Sequence, residues 1–319
     1  MGEQHGHNAT SPSSAFVAVF TLQALAGMCI NAFIVAVSCT AWRRKKSLNS
    51  NEKILLSLGC FRFSYLCIIW VYIIISMLFP QHHLGMAIIY MFAIFPIFLY
   101  SSDIWTTACL YAFYCLKIAN FRHHLFIYLK ARVDRIVPWL LLSSMLLSLV
   151  ICSPLFTAID VGSSTRLNAT FQGTFWEVNE EIRKDFNVVF LTSISGLSMA
   201  FIIVTISAFL LLFSLCRHKH KMQNSSTSSF STEAHIKAMK SLLSFFFTYT
   251  MNYIALTSSL YYSSEKILTL VLLVLQYAFP IAHSLILICS SPRLERIALR
   301  ILPFATCKGC TGRRCPPKH

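Results

Sequence analysis

The sequence predicts an all-α integral membrane protein: a seven-transmembrane-helix bundle with its N-terminus outside and its C-terminus in the cytoplasm. Three observations lead there. Seven apolar stretches are each long enough to cross about 30 Å of hydrocarbon, for which roughly 20 helical residues suffice. Of 319 residues, 56% are hydrophobic and 12% charged, and the mean hydropathy is +0.63. Finally, the basic residues fall almost entirely into alternate connections between the stretches.

The stretches run approximately over Ala15–Ala41, Ile54–Phe79, Gly85–Leu116, Ile136–Ile159, Asn187–Leu215, Leu242–Tyr262 and Ile267–Cys289. An outer tail (1–14), a transmembrane domain (15–289) and a cytoplasmic tail (290–319) follow. In the first stretch, Ala24-Leu25-Ala26 has the small-x-small look of a signal cleavage site. No positive region precedes it, however, the apolar run continues past Ala26, and a basic cluster follows, which is the stop-transfer pattern of an anchor entering N-terminus out. The second stretch carries Arg62, and the third carries Pro96 and Asp103. Pro154 lies in the fourth, Asn252 in the sixth, and Gln276, Pro280 and His283 in the seventh. Proline inside a span removes an N–H and bends the helix, and bent helices leave interior cavities.

Orientation comes from the connections. Arg43, Arg44, Lys45, Lys46 and Lys53 follow span one; Lys117, Arg122, Lys130, Arg132 and Arg135 follow span three; Arg217, Lys219, Lys221, Lys237 and Lys240 follow span five. The tail adds Arg293, Arg296, Arg300, Lys308, Arg313, Arg314 and Lys318, whereas the opposite side holds only Arg166, Arg183, Lys184 and Lys266. The positive-inside rule assigns the richer side to the cytoplasm. A net charge of +15 could suggest nucleic acid, but a nucleic-acid binder gathers its basic residues on one face or arm, and here they are divided among loops. Topology explains this distribution, and some of the charge at the cytoplasmic ends of spans three and five, Lys117 to His124 and Leu215 to Met222, answers anionic lipid.

The sequons Asn8-Ala9-Thr10 and Asn168-Ala169-Thr170 fall on the outer side, so Asn168 and Asn8 are the expected glycosylation sites. Asn224-Ser225-Ser226 falls in an inner Ser/Thr-rich loop and is expected to stay bare. None of the twelve cysteines lies in an outer loop, so no disulfide framework is indicated. Cys307, Cys310, Cys315 and His319 have a spacing compatible with zinc, but structural zinc comes with a small ordered fold around it, so juxtamembrane acylation is the favoured reading. No metal, cofactor or enzymatic activity is expected: nearly all of the chain is used by spans and connections, and neither a phosphate-binding loop nor a nucleophile elbow is present.

Polar side chains at membrane depth are costly and must face the bundle interior or one another. For Asn31 and His283 interhelical hydrogen bonds are the expected role. Counting inward at about 1.5 Å per residue, Arg62 lies roughly 12 Å deep and Asp103 roughly 20 Å deep, a gap that a guanidinium stem can span. Charge balance therefore suggests an Arg62–Asp103 ion pair. The competing arrangement has Arg62 bonded to Asn31 and backbone carbonyls beside a protonated Asp103. Helical spacing also puts Pro96 and Tyr100 one turn apart, likewise Leu273 and Gln276, and sets Asn252 and Ser259 two turns apart on one face.

Several segments match a known pattern. Tyr114-Cys115-Leu116-Lys117-Ile118-Ala119-Asn120-Phe121, Leu211-x-x-Ser214-Leu215 and Ser231-Thr232-Glu233-Ala234-His235-Ile236-Lys237-Ala238-Met239-Lys240 are similar to the YFLKIANF, LxxSL and STEAHIKALK signatures of the type 2 taste (bitter) receptors. Leu55–Arg62, Trp105-x-x-x-Cys109-Leu110 and His283-Ser284-Leu285-Ile286-Leu287 resemble that family's helix-two, helix-three and helix-seven elements. The matches occur in order along essentially the whole chain. The acidic-Arg-Tyr, Trp-Pro and Asn-Pro-x-x-Tyr motifs of rhodopsin-like receptors do not occur in the corresponding helices, nor does their helix-three to outer-loop cysteine pair. Within the family pattern, Tyr100 replaces an Asn, Pro96 replaces an aromatic residue, and an acid at Asp103 is not part of the pattern.

The resemblance implies a G-protein-coupled receptor of the plasma membrane. A small-molecule bitter agonist would bind an outer cavity lined by Pro96, Tyr100, Asn252, Ser259, Leu273 and Gln276. A heterotrimeric G protein would meet Lys117, Arg217, Lys219 and Lys221 at the inner face. The alternatives are a vomeronasal-type chemosensory receptor, which also lacks the rhodopsin motifs, and a small membrane transporter. Against the transporter, the seven spans show no inverted repeat and few intramembrane charges.

Overall fold

The computed structural model describes residues 12–78, 86–119, 123–166, 187–223, 229–261 and 266–301, and those residues are helical apart from short connections. The long helices are α1 (Pro12–Lys45), α2 (Ser50–Leu78), α3 (Met86–Ile118), α4 (His124–Arg166), α5 (Asn187–Gln223), α6 (Ser229–Tyr261) and α7 (Lys266–Ser290). A short eighth helix, α8 (Pro292–Ile301), follows.

Local chemistry accounts for the boundaries. At the end of α1, Lys46 takes a φ of 53°, in the left-handed region, and its N–H donates to the Trp42 carbonyl at 2.7 Å, an αL stop. The next helix starts with one half of a capping box, in which the Glu52 carboxylate accepts the Asn49 N–H at 3.1 Å, and the first intrahelical bond runs from the Lys53 N–H to the Asn49 carbonyl. Ser291 separates α7 from α8, with its carbonyl accepting the Glu295 N–H at 2.9 Å and Pro292 at the first helical position, where its missing N–H costs nothing. The sequence expectation had assigned this stretch to the tail. Leu294, Ile297, Ala298 and Ile301 recur at i, i+3, i+4 and i+7, and Leu294 is buried.

The helices enclose one another in order: α1 packs on α2 and α7, α3 on α2, α4 and α5, and α6 on α5 and α7. Gly27 permits the tight fit of α1, since a Cβ there would lie 2.5 Å from Leu66 Cδ1 and 3.0 Å from Ile281 Cγ1. Small residues serve in this way where membrane helices approach closely.

Among the described residues, five helices contain segments long and apolar enough to cross a membrane: Phe16–Lys45, Ser50–Ile75, Phe126–Pro154, Ile194–Arg217 and Leu270–Ser290. Of the other two long helices, α3 packs against three of the helices that carry these spans and α6 against two. Both carry polar side chains in the bundle interior. Ser101, Ser102, Asp103, Thr106 and Thr107 on α3 and Asn252 on α6 are all buried. Meanwhile Leu22, Trp139, Val150, Phe209, Phe213 and Phe247 are exposed on the periphery. Polar groups inside and large apolar groups outside is the arrangement that a hydrocarbon surround requires.

Candidate functional site

Arg62, only 1% exposed, forms the centre of the buried polar core. Its Nε donates to Asp103 Oδ1 at 2.7 Å, Nη1 to Ser284 Oγ at 3.0 Å and Nη2 to Thr107 Oγ1 at 3.2 Å. Nη2 also lies 2.6 Å from His283 Nδ1. A guanidinium only donates, so His283 Nδ1 accepts and its proton belongs on Nε2. Ser284 passes the network on by donating to Asn31 Oδ1 at 2.8 Å, and Asn31 Nδ2 donates to the Gly27 carbonyl. Residues on α1, α2, α3 and α7 are thereby joined. Asp103 Oδ2 and His283 Nε2 have no hydrogen-bond partner among the described residues.

Aromatic side chains close over this layer. The His283 ring lies 5.0 Å from Phe245 and 5.4 Å from Phe279, and the Arg62 guanidinium is 5.8 Å from the Phe279 centroid. One turn from Asp103 toward the start of α3, Tyr100 packs against Tyr65 at 5.4 Å, and Tyr65 against Tyr277 at 6.2 Å. The Tyr100 hydroxyl donates to Asn252 Oδ1 at 2.9 Å, tying α3 to α6, and Gln276 of α7 also reaches Tyr100. Pro96 is buried one turn further along α3, and Leu273 packs against the core one turn from Gln276. Ser259 is half-buried, with its hydroxyl donating back to the Leu256 carbonyl of its own helix. Tyr100, Asn252 and Gln276 are thus brought together, and Ser259 is directed elsewhere.

At the opposite end, Lys117 and Arg217 are exposed at the ends of α3 and α5. Lys117 Nζ lies 3.5 Å from Asp134 Oδ1. Lys219 and Lys221 fall in the last turns of α5, but their side chains lie outside the described residues, as do Asn8, Asn168 and Asn224 entirely. Cys307, Cys310, Cys315 and His319 lie outside them too, and no cluster that could hold a metal ion occurs among the described residues. Three consecutive residues at the start of α2 each hold a different element. Ser50 donates to the Asp134 carbonyl, Asn51 accepts from Tyr114, and Glu52 pairs with Arg293 of α8. Sequence reasoning missed this hub, although Glu52 stands out as the single acid between Arg43 and Lys53. It also missed Thr107 and Ser284 as partners of Arg62. Their signal was position: one follows Asp103 by a helical turn, and the other adjoins His283.

The comparisons with known proteins fit this architecture. Residues 10–306 match the family described as taste receptor protein (TAS2R). Taste receptor type 2 member 7 of Pongo pygmaeus is 31% identical over 290 residues, covering 86% of this chain and 88% of that protein. Member 9 of Homo sapiens is 31% identical over 292 residues, covering 87% and 89% respectively. Member 9 of Macaca mulatta is 32% identical over 301 residues, covering 90% and 92%. With a family match spanning nearly every helix and relatives covered along most of their length, the chain belongs to the type 2 taste receptor family.

Proposed function

We propose that this chain is a bitter taste receptor of the plasma membrane, which binds small bitter compounds and activates a heterotrimeric G protein. Family membership supports the receptor class. The agonist site is read from the junction of Tyr100, Asn252 and Gln276, where three helices meet through polar tips set among aromatic rings. Such mixed lining suits small amphipathic molecules. Pro96 and Leu273 extend this lining toward the outer ends of α3 and α7, and Ser259 lies toward the outer end of α6. An agonist acts by binding better to the arrangement in which the inner ends of α3, α5 and α6 accept a G protein. Equal affinity for both arrangements would shift nothing.

Alanine at Tyr100, Asn252 or Gln276 is expected to reduce agonist potency about 10-fold or more, since each removes a buried hydrogen bond worth about 1–2 kcal/mol with its unpaired partner. The measurement is G-protein-dependent calcium release across a diverse panel of bitter compounds, at matched surface expression. Unchanged potency in all three variants would refute the placement of the site.

The orientation in this proposal puts the outer loop holding Asn168 in the lumen during synthesis and the loop holding Asn224 in the cytosol. Asn168→Gln is expected to reduce a glycosidase-sensitive gel shift that Asn224→Gln leaves unchanged. The reverse pattern would invert the topology.

A further inference from the structure

The outward face of α4 contains a group of residues that neither the agonist site nor the G-protein face uses. Tyr128, Arg132, Arg135 and Trp139 recur at i, i+4, i+7 and i+11 and are all exposed. Arg132 lies over the Tyr128 ring, 4.4 Å from its centroid, and donates to its hydroxyl at 2.6 Å. Trp139 is 70% exposed. Leu142 and Leu146 continue the stripe, both exposed. Of the five apolar spans, α4 is the least buried in the bundle.

Neighbouring contacts fix the height of this group. Asp134 touches Ser50, the first residue of α2, and Lys117, in the last turn of α3. Arg132 and Arg135 therefore lie where one span begins and another ends, at the bilayer boundary. Trp139 is four residues further along α4, about 6 Å deeper, at the level where tryptophan favours the interface. Two neighbouring lysines are otherwise engaged. Lys117 faces Asp134, and Lys130 donates to the Ala119 carbonyl at 2.9 Å. Arg132 and Arg135 have no acidic partner among the described residues.

We propose that this face of α4 is a binding site for an anionic phospholipid. The phosphate and its acidic headgroup lie between Arg132 and Arg135, the indole of Trp139 lies beside the glycerol region, and an acyl chain lies along Leu142 and Leu146. Charge complementarity selects this occupant over a second copy of the chain, which would bring the same two arginines against each other or against the same apolar stripe. Guanidinium favours phosphate because its fork donates two parallel hydrogen bonds. The choice of the inner leaflet rests on the orientation above; the choice of headgroup chemistry does not.

The test uses the full-length receptor purified in detergent, titrated with phosphatidylserine or phosphatidylcholine of the same acyl chains and read by native mass spectrometry. Phosphatidylserine is expected to be retained in preference to phosphatidylcholine. Arg132→Gln with Arg135→Gln should lower that preference about 25-fold, taking each basic group near an anionic surface as worth about fivefold. Thermal unfolding in phosphatidylcholine nanodiscs checks that the double variant is folded. If it is not, Arg132→Lys with Arg135→Lys, which keeps the charge but loses the fork, should give an intermediate preference. Equal retention of both lipids by the wild type would overturn the proposal. So would an undiminished preference in the folded double variant, or loss of a receptor dimer in place of lipid. None of these readouts involves an agonist, so failure here leaves the receptor assignment standing.

Discussion

Replacing Asp103 by Asn is expected to lower the surface yield of the receptor sharply and to change its basal signalling, because the substitution leaves Arg62 charged and buried without its counter-ion. The pair lies 2.7 Å apart with both side chains nearly inaccessible. Removing one member of such a pair costs about 3–5 kcal/mol, most of it the penalty of the stranded partner. Arg62→Gln should be at least as damaging, since it also disconnects Ser284, Thr107 and His283. The double variant, with neither charge, should be less impaired than the sum of the two single variants. Surface labelling and the unfolding temperature of purified receptor, read for all three, give the coupling directly. Strictly additive losses would mean that the two residues do not interact.

The second large effect concerns the proposed G-protein face. Charge reversal at Lys117, Arg217, Lys219 and Lys221 together is expected to abolish nucleotide exchange on the G protein while agonist binding persists. Lys117 and Arg217 are exposed, and the ion pair of Lys117 with Asp134 is a surface pair worth at most about 1 kcal/mol. Their replacement should therefore cost little stability, which separates a docking role from a folding role. Purified receptor with a radiolabelled agonist and a purified G protein supplies both readings. Undiminished exchange in the quadruple variant would remove these residues from the interface.

The spans were legible because about 20 apolar residues in a row have few alternatives, and the extra length of the helices was not. Five helices continue into polar sequence: α4 begins at His124 and α6 at Ser229, well before the apolar runs at Ile136 and Leu242. Hydropathy sees where lipid begins, whereas a helix stops only where its backbone is capped. The buried charges were legible for a related reason: two ionisable residues at membrane depth restrict each other to very few arrangements. Arg62 and Asp103 were indicated by charge alone, and the structure shows them paired, with Arg62 reaching Asn31 only through Ser284. Tyr65 and Tyr277 gave no such signal, because a tyrosine in an apolar span is ordinary until the fold places it against Tyr100. The hub at Ser50, Asn51 and Glu52 was hidden because each of its three contacts reaches a different and distant part of the chain.

Nucleotide exchange on a purified G protein, with the receptor alone in nanodiscs and a diverse panel of bitter compounds added in turn, decides whether the chain signals as a receptor. A receptor of this kind should accelerate exchange with at least one compound, and alanine at Tyr100 should shift the concentration required. If no compound accelerated exchange while the same receptor in proteoliposomes carried a solute across the membrane, the chain would be a transporter and the account would fail.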